Sequence, residues 1–566
     1  MSLVSNLLKR NLNFKNFKNF KIKNFNRFNS TITKKTTLNS NKSLLPILTS
    51  LIIGTSIGGS IVYYNIIKNP PEDLFPNSST TKLSNINEIK YGKTQDAIDE
   101  IINKLGSSKV KTSIDEIKHH SDSSWQTDHA RDNEFPLAII YPESTEDVSE
   151  IMKICHKLKV PVVPFTGGTS LEGHFISTRN GIIIDLAKLD KIIKLNADDL
   201  DIIVQPAVGW EYLRDYLNDY NLLFGPDPGP GACIGGMAAT SCSGTNAARY
   251  GTMRENVISL KVVLPDGTII KTKRRPKKSS AGYNLTNLFI GSEGTLGIIT
   301  EITLKLNVKP KFENVALITF DSMAEAANSV SGFIKSGLQL NAIELLDDSL
   351  IKYVNYSNQT EIKYDEKPTL LLKIGGFSED SASFITKSVK EIVYKNNAKS
   401  FKFASNEEEK FQLWNARKVA LWSVIQYGKD KIDKDIQVWS TDVAIPTSNF
   451  VKCIEETKEE LNKSGLVTSV FGHAGDGNYH TVILFKEEQR PLAIKLVKNM
   501  VDRALAADGT VSGEHGIGVG KKDFLLEEVG QDTVDLMRKI KFAIDPHKIL
   551  NPDKVFAIDP VNDRTI

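Results

Sequence analysis

Two of the nine histidines, His473 and His480, flank a turn-rich stretch in FGHAGDGNYH, residues 471–480. Asp-Gly between apolar residues signals a two-residue hairpin turn. With Asp476 and Gly477 as the loop, His473 falls directly opposite His480, and opposed strand residues hold their Cβ atoms about 4.5–5.5 Å apart. Two imidazoles at that distance can chelate one metal ion. They can equally be a polar cross-strand pair, and spacing alone leaves both readings open. Glu514-His515 in SGEHGIG sets a carboxylate beside a proton acceptor, in a stretch that is otherwise an ordinary glycine-rich loop. Arg417 in LWNARKVALW is, by itself, a charge on a helix surface.

Three glycine clusters lie upstream: PVVPFTGGTSLEG (161–173), GPDPGPGACIGGMAATSCSGTNAARYG (225–251) and FIGSEGTLGIIT (289–300). Loops this poor in side chains let a ligand approach the backbone, and their N–H groups can form an anion nest. No G-x-G-x-x-G opens a helix after a strand, and GIGVGKK fails as a P-loop in spacing and in lacking Ser/Thr after Lys. NAD on a doubly wound sheet and ATP on a P-loop are therefore unsupported. One such cluster is more often a tight turn than a cradle; three within one domain, two of them rich in Ser and Thr, point to a cradle.

The elements that must position these residues have a mixed α/β texture. PLAIIYP reads as a strand and STEDVSEIMKICHKLK as a helix capped by Ser144 or Thr145, with acidic residues in its first turn. VPVVPFTGG, GIIIDLAKL and LDIIVQPAVG are further apolar, β-branched runs bounded by Gly, Pro and Asp. Past LNVKPKF, strands such as NVALITF and TLLLKIGGF alternate with helices, which places a domain boundary near residue 309. At 566 residues the chain is too long for a single core.

The net charge of +3 is unevenly spread. Residues 1–71 carry eleven Lys/Arg and no acid, leaving 60 basic against 68 acidic side chains, a net −8, on residues 72–566. Residues 1–43 have the composition of a mitochondrial targeting segment. The uncharged run LLPILTSLIIGTSIGGSIVYYNII (44–67) would reach about 36 Å as a helix, enough to span a bilayer core. A basic leader followed by an apolar stop is similar to bipartite signals that leave a protein in the inner membrane facing the intermembrane space. The four cysteines form no C-x-x-C pair and read as reduced thiols. The basic run KTKRRPKKSS (271–280) lacks aromatic interleaving, so no nucleic acid partner is expected.

PFTGGTSLEG, IGGMAATSCSGTNAARYG and GSEGTLGIIT resemble the flavin-binding segments of the vanillyl-alcohol-oxidase (PCMH) type of FAD domain. FGHAGDGNYH, SGEHGIG and ILNPDKV are similar to the substrate half of the D-2-hydroxyacid dehydrogenases of that superfamily. The similarity runs from Phe135 to Val555. It implies an α+β fold, with a two-part FAD-binding domain (131–308), a substrate and metal-binding cap domain with an antiparallel sheet flanked by helices (309–545), and a C-terminal segment (546–566) returning to the FAD site. Residues 68–130 are the connector. The resemblance also implies residue roles. Thr166, Gly167, Gly168, Thr169 and Ser170 would hold the FAD pyrophosphate. Gly235, Gly236, Thr240, Ser241, Gly244, Asn246 and Gly251 would line the flavin, Glu293, Gly294, Thr295 and Gly297 would close the site, and Asn551 would return to the cofactor. Some relatives tether flavin through a His in the pyrophosphate loop. None stands at Ser170 or its neighbours, with His174 outside the motif, so noncovalent FAD is expected.

In the resembled family two such histidines and a later carboxylate, here His473, His480 and Glu514, bind a divalent metal. Three protein ligands and an open position suit catalytic Zn²⁺, while Mn²⁺ and Co²⁺ suit the same ligands. A metal on the hydroxyl and carboxylate oxygens of a 2-hydroxy acid would orient it and stabilise the alkoxide. His515 is then the base, Arg417 grips the substrate carboxylate bidentately, and hydride passes to flavin N5. Related D-2-hydroxyglutarate enzymes have a Lys just before TDVAIP, and a Thr and an Asn where this chain has Leu421 and Val482; here Trp439-Ser440-Thr441 stand in place of the Lys segment. A second carboxylate would go unpaired at a cost of several kcal/mol. The expectation is therefore oxidation of D-lactate, with cytochrome c, a basic protein attracted by the −8 body, as acceptor. The alternative is a D-2-hydroxyglutarate or glycolate dehydrogenase with another acceptor. A membrane-tethered protein using FAD only structurally is a more distant alternative.

Overall fold

PLAIIYP and the segment after it fold as the residue pattern dictates. Strand β2 (Ala138–Ile140) leads into a helix, Thr145–Leu158. Ser144 is the cap, its hydroxyl accepting the Asp147 N–H at 3.0 Å, and Lys159 ends the helix in the left-handed region. With β1 (Val110–Lys111), β3 (Val162–Phe165) and β4 (Ile182–Asp185) this strand forms a sheet of order β1-β2-β4-β3. β2 and β3 run parallel to β4, and β1 is an antiparallel edge. Parallel strands covered on both faces read as unbroken apolar runs, and Ile182, Ile183 and Ile184 are all fully buried. The helices Thr94–Leu105 and Thr145–Leu158 cover one face through Ile98, Ile101, Ile151 and Met152.

The next strands are β5 (Ile192–Asn196), β6 (Asp201–Val204), β7 (Leu222–Leu223), β8 (Val257–Val263), β9 (Ile269–Lys271), β10 (Ile298–Lys305) and β11 (Asn307–Val308). Five of them form an antiparallel sheet of order β5-β6-β10-β8-β9, and β7 pairs with β11. The helices Trp210–Asn218 and Ile234–Thr240 pack on this sheet through Leu213, Leu217, Ile234 and Met237.

A seven-stranded antiparallel sheet follows, built from β12 (Phe312–Thr319), β13 (Ala342–Leu346), β14 (Thr369–Gly376), β15 (Ser400–Phe403), β16 (Gln437–Ala444), β17 (Val467–His473) and β18 (Asn478–Phe485). Its order is β15-β12-β14-β13-β17-β18-β16. Side chains alternate between faces. Leu345, Val470, Tyr479, Ile483, Trp439 and Val443 enter the larger core, with the helices Met323–Lys335, Thr447–Lys463 and Arg490–Ala506. Leu346, Phe471, Val482, Leu484 and Val438 enter a second core under the helices Asp348–Ser357, Glu407–Lys418 and Ala420–Lys431. On that second face Glu344, His473, His480 and Asp442 continue the same alternation, so apolar packing gives way to ionisable groups along the strands.

The hairpin differs from the expected two-residue turn. β17 and β18 pair with His480 opposite Phe471, while His473 pairs with Glu344 on β13. A 3₁₀ turn, Ala474–Asp476, and Gly477 at φ +79° make the connection. A Cβ at Gly477 would lie 2.2 Å from the Ile445 carbonyl oxygen. The register is offset by two residues rather than one, so both imidazoles stay on one face, with ring centroids 5.2 Å apart.

The chain ends by crossing back to the first sheet. The Val162 N–H donates to the Ile549 carbonyl and the Asn551 N–H to the Val162 carbonyl, both at 2.7 Å. Buried Lys541, on the helix Gln531–Ile544, donates to Asp545 and to the Thr295 and Leu550 carbonyls, each at 2.6 Å. This structure, a computed structural model, describes residues 78–561. The expected targeting segment 1–43 and apolar segment 44–67 lie outside the described residues, and no helix among those described is long and apolar enough to cross a membrane.

Candidate active site

A cavity of about 440 Å³ separates the glycine loops from the second face of the seven-stranded sheet. Thr166, Gly167, Gly168, Thr169 and Ser170 line it, as do Gly235, Gly236, Thr240, Glu293, Gly294, Gly297 and Asn551. Five expected flavin residues lie outside the lining and shape turns instead. Ser241 ends the helix Ile234–Thr240 at φ 55°. Gly244, at φ +134°, packs on Asp227, whose carboxylate accepts the Asn246 N–H at 2.8 Å. Gly251, at φ +80°, closes a helical turn. The Thr295 hydroxyl donates to the Ser292 carbonyl at 2.7 Å. Ser170 Oγ and Asn551 Oδ1, among these expected cofactor residues, are buried without a hydrogen-bond partner among the described residues. Such orphaned groups fit a polar cofactor laid against the loops.

On the opposite wall, His473 Nε2 lies 3.0 Å and His480 Nε2 3.3 Å from Glu514 Oε1. Nδ1 of His473 meets Glu344 Oε1 at 2.7 Å. The three potential ligand atoms lie within 4.8 Å of one another. Burial works to lower His473, but the Glu344 and Glu514 carboxylates outweigh it and hold it well above its usual range. Burial lowers His480, and the neighbouring His515 and His473 reinforce this against Glu514. Glu514 is pulled against burial to about 2 by His473, His480 and His515. Both ring nitrogens of His480 and Oε2 of Glu514 are buried without a hydrogen bond among the described residues. Unpartnered lone pairs converging on one space are a donor set that a divalent cation can fill. Asp442, His480 and His515 form a second such group. There the Lys521 ammonium already sits 2.8 Å from Asp442 Oδ1, so a cation is in place.

His515 lies parallel to His480, centroids 5.2 Å apart and planes at 13°. Its Nδ1 is 3.5 Å from Asp442 Oδ1 and 3.7 Å from Glu172 Oε1. Burial would lower this imidazole, but Asp442 and Glu172 outweigh it and raise it. The loop carrying Glu514 and His515 is pinned from both sides. Asp442 Oδ2 accepts the Gly513 and Glu514 N–H groups at 2.7 and 2.8 Å, and Oδ1 accepts the Ser512 hydroxyl at 3.1 Å. From the glycine-loop side, Glu293 accepts the Ile517 and Gly518 N–H groups, both at 2.7 Å, and the Glu172 carbonyl accepts the Val519 N–H at 2.9 Å. Glu293 thus spends its carboxylate on this loop. Fully buried Lys521 bridges Asp442 and, at 3.3 Å, Glu172.

Arg417 sits in the last turn of the helix Glu407–Lys418. Its Nε donates to Glu344 Oε2 at 2.6 Å, and its guanidinium lies over Phe471, 5.0 Å from the ring centroid. Leu421 and Ser440 also line the cavity. Val482 lies in the core behind them and Trp439 on the opposite face. Lys418 reaches the lining, but its ammonium lies over Phe411, itself more than half exposed. At the rim, Trp125 and Trp422 meet edge to face, centroids 6.2 Å apart. The residues that sequence reasoning missed are Glu344, Asp442, Lys521 and Glu172. The signal for the first two was a single acidic residue inside an apolar strand, in AIELL and in TDVAIP.

Comparison with known proteins converges on one family. Residues 136–273 match the FAD binding domain model and residues 309–555 the model of the C-terminal domain of FAD linked oxidases. The chain is 50% identical over 521 residues to a mitochondrial D-lactate dehydrogenase [cytochrome] of Kluyveromyces lactis, covering 90% of each. It is 45% identical to the Arabidopsis thaliana protein of the same name, covering 74% of this chain and 73% of that one. The structure of 4-ethylphenol oxidase from Gulosibacter chungangensis superposes with a TM-score of 0.69 over 84% of this chain and 99% of that one, at 18% identity. That likeness carries the α+β architecture of the vanillyl-alcohol-oxidase type. With half its residues shared across nine-tenths of a relative's length, and both family segments present in order, the chain belongs to the FAD-linked oxidases, FAD-dependent oxidoreductases, on the branch of the mitochondrial D-lactate dehydrogenases [cytochrome].

Proposed function

We propose that the chain oxidises D-lactate to pyruvate on FAD, with a divalent cation at His473, His480 and Glu514, and passes the electrons to cytochrome c. The observation that carries this reading is the meeting, in one cavity, of His480, Glu514, His515 and Arg417 with the glycine loops. Arg417 spends Nε on Glu344, which leaves its Nη groups to hold the substrate carboxylate as a fork. His515 takes the hydroxyl proton at Nε2, since Nδ1 faces Asp442 and Glu172. FAD, when bound, supplies the two-electron acceptor for the hydride of the α-carbon. His473, His480 and Glu514 would hold a divalent ion, Zn²⁺ being the one we favour, which would supply Lewis-acid chemistry to the 2-hydroxy acid. Leu421 beside the substrate space favours a methyl over a second carboxylate. The net −8 on residues 72–566 would draw in a basic acceptor. In the basic run only Arg275 is ion-paired among the described residues, to Asp199 and Asp201. The leader and the apolar run 44–67 support an inner-membrane site with the catalytic part facing the intermembrane space.

Anaerobic mixing tests the reading. D-lactate should bleach the flavin absorbance, and removal of the ion by a chelator should slow bleaching at least tenfold, reversed by adding Zn²⁺ or Mn²⁺. D-2-hydroxyglutarate should fall short in kcat/KM by about a hundredfold, corresponding to roughly 3 kcal/mol for an unpaired carboxylate. Faster bleaching by D-2-hydroxyglutarate or glycolate would replace D-lactate as the substrate. Bleaching that survives complete loss of metal would remove the ion from the reaction.

A further inference from the structure

Glu344 hydrogen-bonds to both working parts of the cap-domain wall, His473 and Arg417. It is fully buried on β13, directly opposite His473 on β17. Its Oε1 lies 2.7 Å from His473 Nδ1 and its Oε2 accepts Arg417 Nε at 2.6 Å. The two oxygens of one carboxylate therefore face two different sites. A ligand histidine whose far nitrogen donates to a carboxylate is fixed in ring orientation and in tautomer, with the near nitrogen left bare for the ion. A guanidinium held at Nε keeps its Nη edge aimed one way, and Phe471 under the guanidinium blocks the other. Because Glu344 is rigid in a strand at the centre of the sheet, neither partner can turn without disturbing the other.

We propose that Glu344 is a positioning residue that ties the substrate-carboxylate clamp to the metal ligand, so that ion affinity and 2-hydroxy-acid affinity are set by one buried carboxylate. This rests on the reading of Arg417 and His473 given above. A glutamine at 344 keeps the shape but offers an amide N–H₂ to one of two donors. One partner is then released, and the charge that orders the other is gone.

The test compares the parent, Glu344→Gln, Arg417→Met and the double variant, each purified with its FAD. Co²⁺ affinity is read by competition with a chromophoric chelator, and KM and kcat with D-lactate. Glu344→Gln should weaken Co²⁺ by about tenfold to a hundredfold and raise KM about tenfold, with FAD content unchanged. In the Arg417→Met background the KM penalty should vanish, because there is no clamp left to aim, while the Co²⁺ penalty persists. A merely structural defect would carry both penalties into the double variant. Co²⁺ affinity and KM both within about twofold of the parent, or loss of only one of them, would overturn the proposal. If Glu344→Gln does not accumulate as flavin-loaded protein, Glu344→Asp, which keeps the charge but shortens its reach by one methylene, is read against the same two outcomes. A parent that binds no Co²⁺, together with an Arg417→Met variant of unchanged KM, would instead remove the underlying reading of the site.

Discussion

Replacing His515 with alanine is expected to leave a yellow protein that D-lactate no longer bleaches. The imidazole is mostly covered in the cavity wall, one ring nitrogen toward Asp442 and Glu172 and the other free for substrate. Of the other histidines in the lining, His480 is an expected metal ligand and His174 faces Glu293 at 3.3 Å, which leaves His515 as the candidate base next to Glu514. A positioned general base contributes about 10²–10⁴ in rate, so single-turnover reduction should fall by at least two orders of magnitude. FAD should stay, because the glycine loops and Asn551 form the opposite wall. The comparison is stopped-flow absorbance against flavin content and metal content. Reduction within tenfold of the parent would take His515 out of the reaction.

Lys521→Met should be the most destabilising single change at the site. The ammonium is buried between Asp442 and Glu172, at 2.8 and 3.3 Å, and also donates to the Asp442 and Val511 carbonyls. Burial acts to lower it, yet the two carboxylates raise it, so it stays a cation. Methionine fills much of the volume but leaves two buried acids uncompensated. Breaking a buried pair in this way costs about 3–5 kcal/mol, and a thermal midpoint lower by about 5 °C or more is expected. Asp442 also holds the Gly513 and Glu514 N–H groups, so flavin reduction should fall with stability. A midpoint within about 1 °C of the parent would show that the cation is dispensable.

What the sequence disclosed, and what it did not, divides along sequence separation. Alternation in FGHAGDGNYH and in QVWSTDVA places the correct side chains on one face of the sheet, because strand parity is a local property. The hairpin register is not local. Gly472 leaves the β17–β18 ladder to let His473 pair with Glu344, 129 residues away, and no turn dipeptide contains that information. The same holds for Lys521 with Asp442 and Glu172. Each reads as an ordinary charge until the fold brings the three together. Glycine clusters announce close backbone approach without saying to what, which is why Gly235 and Gly236 line the cavity while Gly244 and Gly251 serve turns.

The pinning of residues 512–521 by carboxylates from both halves bears on how molecules get in and out. A hinge between the halves would have to break the Glu293 and Glu172 contacts, and with them the seat of His515. Entry and exit therefore belong to side chains at the rim, where Trp422 is nearly half exposed against Trp125. The mouth of the pocket is thus set by two aromatic side chains on a fixed frame, not by a jaw between the halves.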